Sequence, residues 1–120
     1  MDTTNTKARD LQICNTIVQQ LGGGRALAMV GATKLGDVAP TCMGTRIRLK
    51  GCRKANLLVI QLDESDTYIV RLVKRTGGKW SNKKMDVLPI SEKTVVHHEG
   101  IYADQLRGLV ERETGLYLSL

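Results

Sequence analysis

The feature that most constrains the fold is a pair of apolar segments at residues 57–62 and 67–73, separated by four polar residues. Both segments are rich in β-branched and aliphatic residues, which favour strands. The polar break at 63–66 reads DESD, and Asp and Ser side chains hydrogen-bond readily to the backbone of a turn. The pattern predicts a β-hairpin and places an antiparallel sheet at the centre of the chain.

Two amphipathic helices are predicted near the ends of the chain, at residues 6–21 and 101–114. In each of them apolar residues recur at three- and four-residue steps, which is typical of a helix with one buried face. Gly22 and Gly115 follow these segments and are natural helix ends. The apolar stripes comprise Leu11, Cys14, Ile17, Val18 and Leu21 in the first helix, and Tyr102, Leu106, Leu109 and Val110 in the second.

Further strands are predicted at 25–30, 45–50, 85–90 and 93–98, with loops at 33–44 and 76–84. Segment 45–50 alternates regularly, with apolar residues on one side and Arg46, Arg48 and Lys50 on the other. We therefore predict a single α+β domain spanning residues 1–120: an N-terminal helix, an antiparallel sheet of about four to five strands and a C-terminal helix. The helices should cover one face of the sheet. The apolar tail at 116–120 is expected to pack onto the domain or to meet a partner.

The positive charge of the chain is concentrated in the predicted sheet. The net charge is +6, yet residues 45–84 hold eleven Lys and Arg against three acidic residues. The rest of the chain holds seven basic and nine acidic residues. A cluster of one sign creates a potential that attracts polyanions.

No pattern in the sequence predicts catalysis, and we expect neither an enzyme nor a cofactor. His97 and His98 are adjacent, so on a strand their side chains point to opposite faces and cannot share a metal ion. The acidic break at 63–66 lacks the spacing of a calcium-binding loop. Three widely spaced cysteines do not predict a disulfide framework, and no apolar run is long enough to span a membrane. The expected location is the cytoplasm.

A basic sheet face is the one signal with functional content. Single-stranded nucleic acids are bound by cationic grooves that follow the phosphates and by aromatic rings that stack on bases. The sequence contains no Phe, one Trp and three Tyr, so Trp80 is the main candidate for stacking. The residues predicted to bind nucleic acid are Arg46, Arg48, Lys50, Arg53, Lys54, Arg71, Arg75, Lys79 and Trp80. An alternative interpretation is a solvated outer face without a ligand.

Five segments form a pattern along the chain: QLGG at 20–23, AMVGA at 28–32, SDTYIV at 65–70, EGIYADQLR at 99–107 and TGLY at 114–117. Together they resemble a family of short uncharacterised proteins of phages and mobile elements. The resemblance implies an accessory protein of a phage or mobile element in a bacterial cell, and it carries no site residue. In that context a second hypothesis is that the chain binds a host protein, such as a nuclease of a defence system. The oligomeric state is not predicted.

Overall fold

A computed structural model describes residues 3–32, 36–50, 52, 54–78, 80–83 and 85–115. Two helices come first, followed by seven strands and a last helix, which confirms the predicted α+β class. The helices are α1 (Thr3–Leu21), α2 (Gly24–Val30) and α3 (Ala103–Thr114). The strands are β1 (Val38–Thr41), β2 (Gly44–Arg48), β3 (Leu57–Leu62), β4 (Tyr68–Thr76), β5 (Trp80–Ser81), β6 (Asp86–Val87) and β7 (Ser91–Ile101).

The main sheet has five antiparallel strands in the order β1-β2-β3-β4-β7. The hairpin predicted at 57–73 is the β3–β4 pair at its centre, and its turn is the predicted acidic break. Strands β5 and β6 form a separate two-stranded ribbon between β4 and β7. The chain from Tyr68 to Ile101 is therefore one long hairpin whose far end leaves the sheet.

The main hydrophobic core lies between one face of this sheet and the helices. Alternation along β2, β3 and β4 points every second residue toward the helices, and burying these side chains removes their apolar surface from water. The largest buried hydrophobic side chains of this layer are Ile17, Ile47, Leu58, Ile60, Leu72, Leu106, Val70 and Val110. The three described helices all pack on this core, and the opposite face of the sheet carries the arginines.

The segment 25–30 is helical, so the strand predicted there is wrong. A short apolar run does not distinguish a buried strand from a helix by periodicity alone. Ala, Leu, Met and Arg are all good helix formers, and they make up most of α2. Ala26 and Val30, four positions apart, are the buried residues of this helix. Gly31 ends the helix in the left-handed conformation.

The predicted loop at 33–44 contains a strand, β1, at the edge of the sheet. Its short sequence has no alternating pattern, and Pro40 is more typical of a loop than of a strand. An edge strand tolerates proline, because the backbone N–H groups on its outer side have no neighbouring strand to bond. The β1–β2 turn is held to α1, since the backbone amide of Met43 donates a hydrogen bond to the Asp10 carboxylate over 3.1 Å.

Three smaller differences concern the C-terminal half. The predicted loop at 76–84 contains β5, the strand at 85–90 is reduced to β6, and the strand at 93–98 extends to the eleven residues of β7. Tyr102 lies outside the apolar stripe of α3, because it is the exposed residue that precedes the helix. The tail at 116–120 lies outside the described residues. No helix within the described part of the chain is long and apolar enough to cross a membrane.

Candidate nucleic-acid interface

The register of the sheet brings four of the predicted arginines onto one face. Arg46 of β2 pairs with Val59 of β3, and Val59 pairs in turn with Arg71 of β4. Directly paired residues in neighbouring strands point to the same face. Arg48 and Arg75 lie two and four positions further along their strands, so they share that face. We call this the arginine face.

A second, smaller hydrophobic cluster lies within the arginine face. It consists of Leu57, Val59 and Val73, all of which are buried although no helix covers them. Arg46 and Arg71 flank Val59 on both sides in the register. Long arginine side chains cover apolar surface with their methylene groups while their guanidinium groups stay in water. The arginines therefore contribute to packing as well as to charge.

Glu92 of β7 neutralises part of the arginine face. Its carboxylate accepts a 2.8 Å hydrogen bond from the guanidinium of Arg46 and lies 3.9 Å from that of Arg75. Strands β2 and β7 are three positions apart in the sheet, which corresponds to about 14 Å in a flat sheet. The side chains of Arg46 and Glu92 therefore reach toward each other across β3 and β4. Two register shifts interrupt the pairing of β4 with β7, and irregularities of this kind bend a strand locally.

The remaining two arginines differ in their surroundings. Arg71 donates a 3.3 Å hydrogen bond to the side-chain oxygen of Gln61, a neutral partner that leaves its charge in place. Arg48 is exposed, and its side chain makes no ion pair with any described residue. Arg48 and Arg71 thus carry most of the uncompensated charge of the arginine face.

A cationic cleft lies where β2 ends, β3 begins and β4 leaves the sheet. It has a volume of about 640 Å³, and four of its lining residues are cationic: Arg48, Lys50, Lys74 and Arg75. None of the described residues that line it carries a carboxylate. The other lining residues are Leu49, Asn56, Leu57, Thr76, Gly77, Gly78 and Ile90. Four cationic residues on one concave surface favour an anionic ligand, and two of them, Lys50 and Arg75, have carboxylate partners outside the lining.

Hydrogen bonds fix the backbone around this cleft. The side-chain amide of Asn56 donates to the carbonyl oxygen of Arg75 over 2.7 Å and accepts from its amide over 2.8 Å. These two hydrogen bonds extend the pairing of β3 with β4 by one position, with the Asn56 side chain in place of a backbone peptide group. Lys50 is held differently, since its ammonium group lies 3.3 Å from the buried carboxylate of Asp37. Lys50 therefore contributes less free charge to the cleft than Arg48 or Lys74.

Lys54 lies apart from the other predicted residues. Its ammonium group contacts Glu113 of α3 at 3.3 Å, and His98 approaches the same carboxylate at 3.4 Å. Desolvation raises the pKa of Glu113, but hydrogen bonding and attraction from Lys54, together with those from His98, outweigh it and hold the pKa below its usual value. Lys54 thus serves a local ion-pair network.

The structure describes Trp80 but not two of the other predicted residues, Arg53 and Lys79, which lie outside the described residues. Trp80 is exposed on β5, and it does not line the cleft. Its indole Nε1 donates a 3.0 Å hydrogen bond to Asn82.

Lys74 and Asn56 are among the cleft residues that sequence reasoning missed. Lys74 precedes Arg75, so alternation along a strand would place it on the other face; it reaches the cleft because the cleft opens at the end of the sheet. Only the concentration of charge in this segment could have drawn attention to it. No sequence signal indicates the two hydrogen bonds between the Asn56 side chain and the backbone of Arg75.

The two adjacent histidines have separate partners. His97 lies 3.0 Å from Glu99, whereas His98 approaches Glu113 on α3. In the part of the chain that the structure describes, no group of three or more His, Cys, Asp or Glu side chains could hold a metal ion.

Comparison of the chain with protein-family models, with curated proteins and with solved structures found no match.

Proposed function

We propose that the protein binds nucleic acid, with a preference for single strands, through the cationic cleft and the adjoining arginine face. The observation that supports this proposal is the convergence of Arg48, Lys50, Lys74 and Arg75 on one cleft whose described lining contains no carboxylate. Phosphate groups carry a charge at every nucleotide, so a concave basic surface can bind several of them at once. The neighbouring Arg71 extends the positive surface across the sheet.

The size of the cleft supports single strands as the ligand. A volume of about 640 Å³ is within the range of small-ligand sites and suits a few nucleotides of one strand. A duplex is wider than its major groove, which is itself about 12 Å across, so a duplex could only rest on the rim of such a cleft. The flexible backbone of a single strand can enter it.

The test is fluorescence anisotropy of labelled single- and double-stranded DNA and RNA of equal length, measured across a salt series. We expect micromolar or tighter binding of single strands at low salt, with weaker binding of duplexes. Affinity should fall steeply with salt, because each neutralised phosphate releases condensed counterions. Absence of binding at low salt to every one of these oligonucleotides would contradict the proposal.

The double substitution Arg48→Ala and Lys74→Ala should weaken binding by about tenfold or more at low salt and reduce the salt slope by about 1.4, since each phosphate contact to a single strand contributes about 0.7. Both side chains are exposed and make no ion pair with a described residue, so the fold should be retained. The matched control is Lys7→Ala with Arg107→Ala, which removes the same charge from α1 and α3. Equal losses in the two double variants would show that net charge alone drives binding.

Replacing Glu92 with Gln should strengthen nucleic-acid binding severalfold. The change releases the guanidinium groups of Arg46 and Arg75 from their ion pairs, so both become available to phosphates. The salt slope should become steeper by about 0.7 for each arginine that gains a phosphate. Anisotropy measurements check this, with Glu99→Gln as a control for charge on the same strand. An unchanged slope would mean that Arg46 and Arg75 do not reach the ligand.

A host protein is the second candidate partner, as the resemblance to mobile-element proteins suggests. The observation that favours it is a group of exposed apolar side chains between β4 and β7: Trp80, Met85, Val87 and Ile90. A protein interface with a hydrophobic centre should lose little affinity at high salt. Pull-down from a bacterial lysate at low and at high salt, with nuclease treatment, separates the two candidates: retention at high salt without nucleic acid favours the protein partner.

A further inference from the structure

The β4–β7 hairpin continues beyond the sheet as a two-stranded arm. Pairing with β3 ends at Val73, whereas pairing between β4 and β7 continues to Thr76 and Ser91. Beyond that point Gly78 donates a 2.8 Å hydrogen bond to the Leu88 carbonyl, and β5 pairs with β6. We use "arm" for residues 77–90. The close approach of the two chains at its base requires glycine, because a Cβ on Gly77 would overlap the Pro89 carbonyl.

The arm exposes an unusual amount of apolar surface. Trp80, Met85, Val87 and Ile90 are each more than half exposed, and they make up the majority of the large exposed hydrophobic side chains among the described residues. Trp80 and Val87 are direct cross-strand partners, so their side chains lie next to each other on one face. Exposed apolar side chains that lie next to each other, as Trp80 and Val87 do, mark a candidate binding surface.

The arm is also continuous with the cationic cleft. Gly77, Gly78 and Ile90 belong to the arm and line the cleft, so the base of the arm is one of the cleft's walls. Trp80 lies two residues beyond Gly78, and two residues of chain span at most about 7 Å. A ligand whose phosphates occupy the cleft can therefore reach the indole ring with its next residues.

The charge of the arm fits a polyanion better than a host protein's apolar groove. Lys83 is exposed in the turn between β5 and β6, and the sequence adds Lys79 and Lys84 against the single carboxylate of Asp86. Apolar side chains in a segment of net positive charge are complementary to a nucleic acid, whose bases stack on aromatic rings while its phosphates stay in water.

We propose that the arm is the base-binding half of a two-part site, in which the ring of Trp80, beside Val87, stacks on an unpaired base of a strand held by its phosphates in the cleft. This inference rests on the proposed function and specifies the ligand: it must present unpaired bases within reach of the cleft. The hydrogen bond to Asn82 holds the edge of the indole, which leaves a ring face for stacking.

The chain offers a direct probe, because Trp80 is its only tryptophan. The experiment titrates the protein with oligo-dT, with an abasic oligonucleotide of the same length and with a duplex, and follows tryptophan emission together with anisotropy of the labelled oligonucleotide. Oligo-dT should quench the emission, whereas the abasic strand should bind roughly 5- to 100-fold more weakly and leave the emission unchanged.

Substitution variants make the test independent of quenching alone. Trp80→Ala should lower the affinity for oligo-dT by that same factor, and it should change neither the abasic affinity nor the salt slope. Trp80→Phe should restore part of the loss because it keeps an aromatic ring. Leu11→Ala, which removes exposed apolar surface from α1, is the matched control and should bind like the wild type.

Four outcomes would overturn the inference. Equal, salt-sensitive binding of oligo-dT and of the abasic strand would exclude stacking while the proposed function stands. Quenching by the duplex equal to that by oligo-dT would exclude the requirement for unpaired bases. A doubled mass in light scattering, with an emission shift in the absence of DNA, would assign the arm to a second copy of the chain. No binding of any oligonucleotide would end the inference and the proposed function together.

Discussion

Replacing Leu58 with Ala is expected to lower the free energy of unfolding by about 3–4 kcal/mol. Leu58 is only 1% exposed, and together with Leu21, Val30 and Val110 it lines a small void in the core. Removing three carbon atoms there would enlarge the void, because side chains from both the helices and the sheet hold it open. A domain of this size has a total stability of about 5–15 kcal/mol, so the loss would be a large part of it.

Urea unfolding followed by circular dichroism measures this loss as a shift of the midpoint at constant slope. Leu11→Ala is the matched control, since the same chemical change occurs at a side chain that is 50% exposed. The control should change stability by about 0.5 kcal/mol or less. Comparable losses at the two positions would mean that Leu58 does not lie in a well-packed core.

Replacing Gly44 with Ala is expected to cost about 3 kcal/mol, the upper end for an overpacked site. Gly44 begins β2 and pairs with Gln61, and a Cβ at this position would overlap the backbone carbonyl of Ile60. A backbone atom in a central strand cannot swing aside like the end of a flexible side chain. Relief requires a shift of β2 against β3, which weakens the hydrogen bonds between them.

The matched control for this substitution is Gly108→Ala in α3, where a Cβ would meet nothing within 4 Å. Alanine is favoured over glycine inside a helix, so this variant should gain about 0.5–1 kcal/mol. Glycine-to-alanine substitution is thus expected to lower the stability at Gly44 and to raise it at Gly108. Thermal unfolding of both variants decides the matter, and a destabilised Gly108→Ala would show that α3 does not have the free surface described.

Much of the fold could be predicted because its central elements follow simple periodicities. The alternation of 45–50 predicted which residues of β2 face the core, and the apolar runs of 57–73 located β3 and β4. Period-three and period-four stripes located α1 and α3. The short segment that forms α2 carried no such information, and β1 has only four residues, so tertiary packing rather than local pattern decides their conformation.

The candidate site was only partly visible in the sequence, for reasons that differ from residue to residue. A common face for Arg46, Arg48, Arg71 and Arg75 follows from alternation once the strands are in their usual register. The contact between Arg46 and Glu92 joins strands that are not neighbours in the sheet, and such a contact has no local signature in the sequence. The cleft depends on where neighbouring strands end, so the sequence did not predict that Lys74 lines it. The position of Trp80 could not be predicted, because it depends on the β5–β6 ribbon, which lies in a segment predicted as a loop.

The small apolar cluster under the arginines has a practical consequence for anyone who dissects this surface. Truncating Arg46 or Arg71 to Ala removes a positive charge and also removes the methylene groups beside Val59. If such a variant binds a ligand more weakly, the loss of affinity cannot be assigned to one of the two changes. Methionine is an unbranched, neutral side chain that can keep the apolar cover while it removes the charge. A comparison of Ala and Met at the same position therefore separates the contribution of the arginine to packing over the apolar cluster from the contribution of its charge to ligand binding.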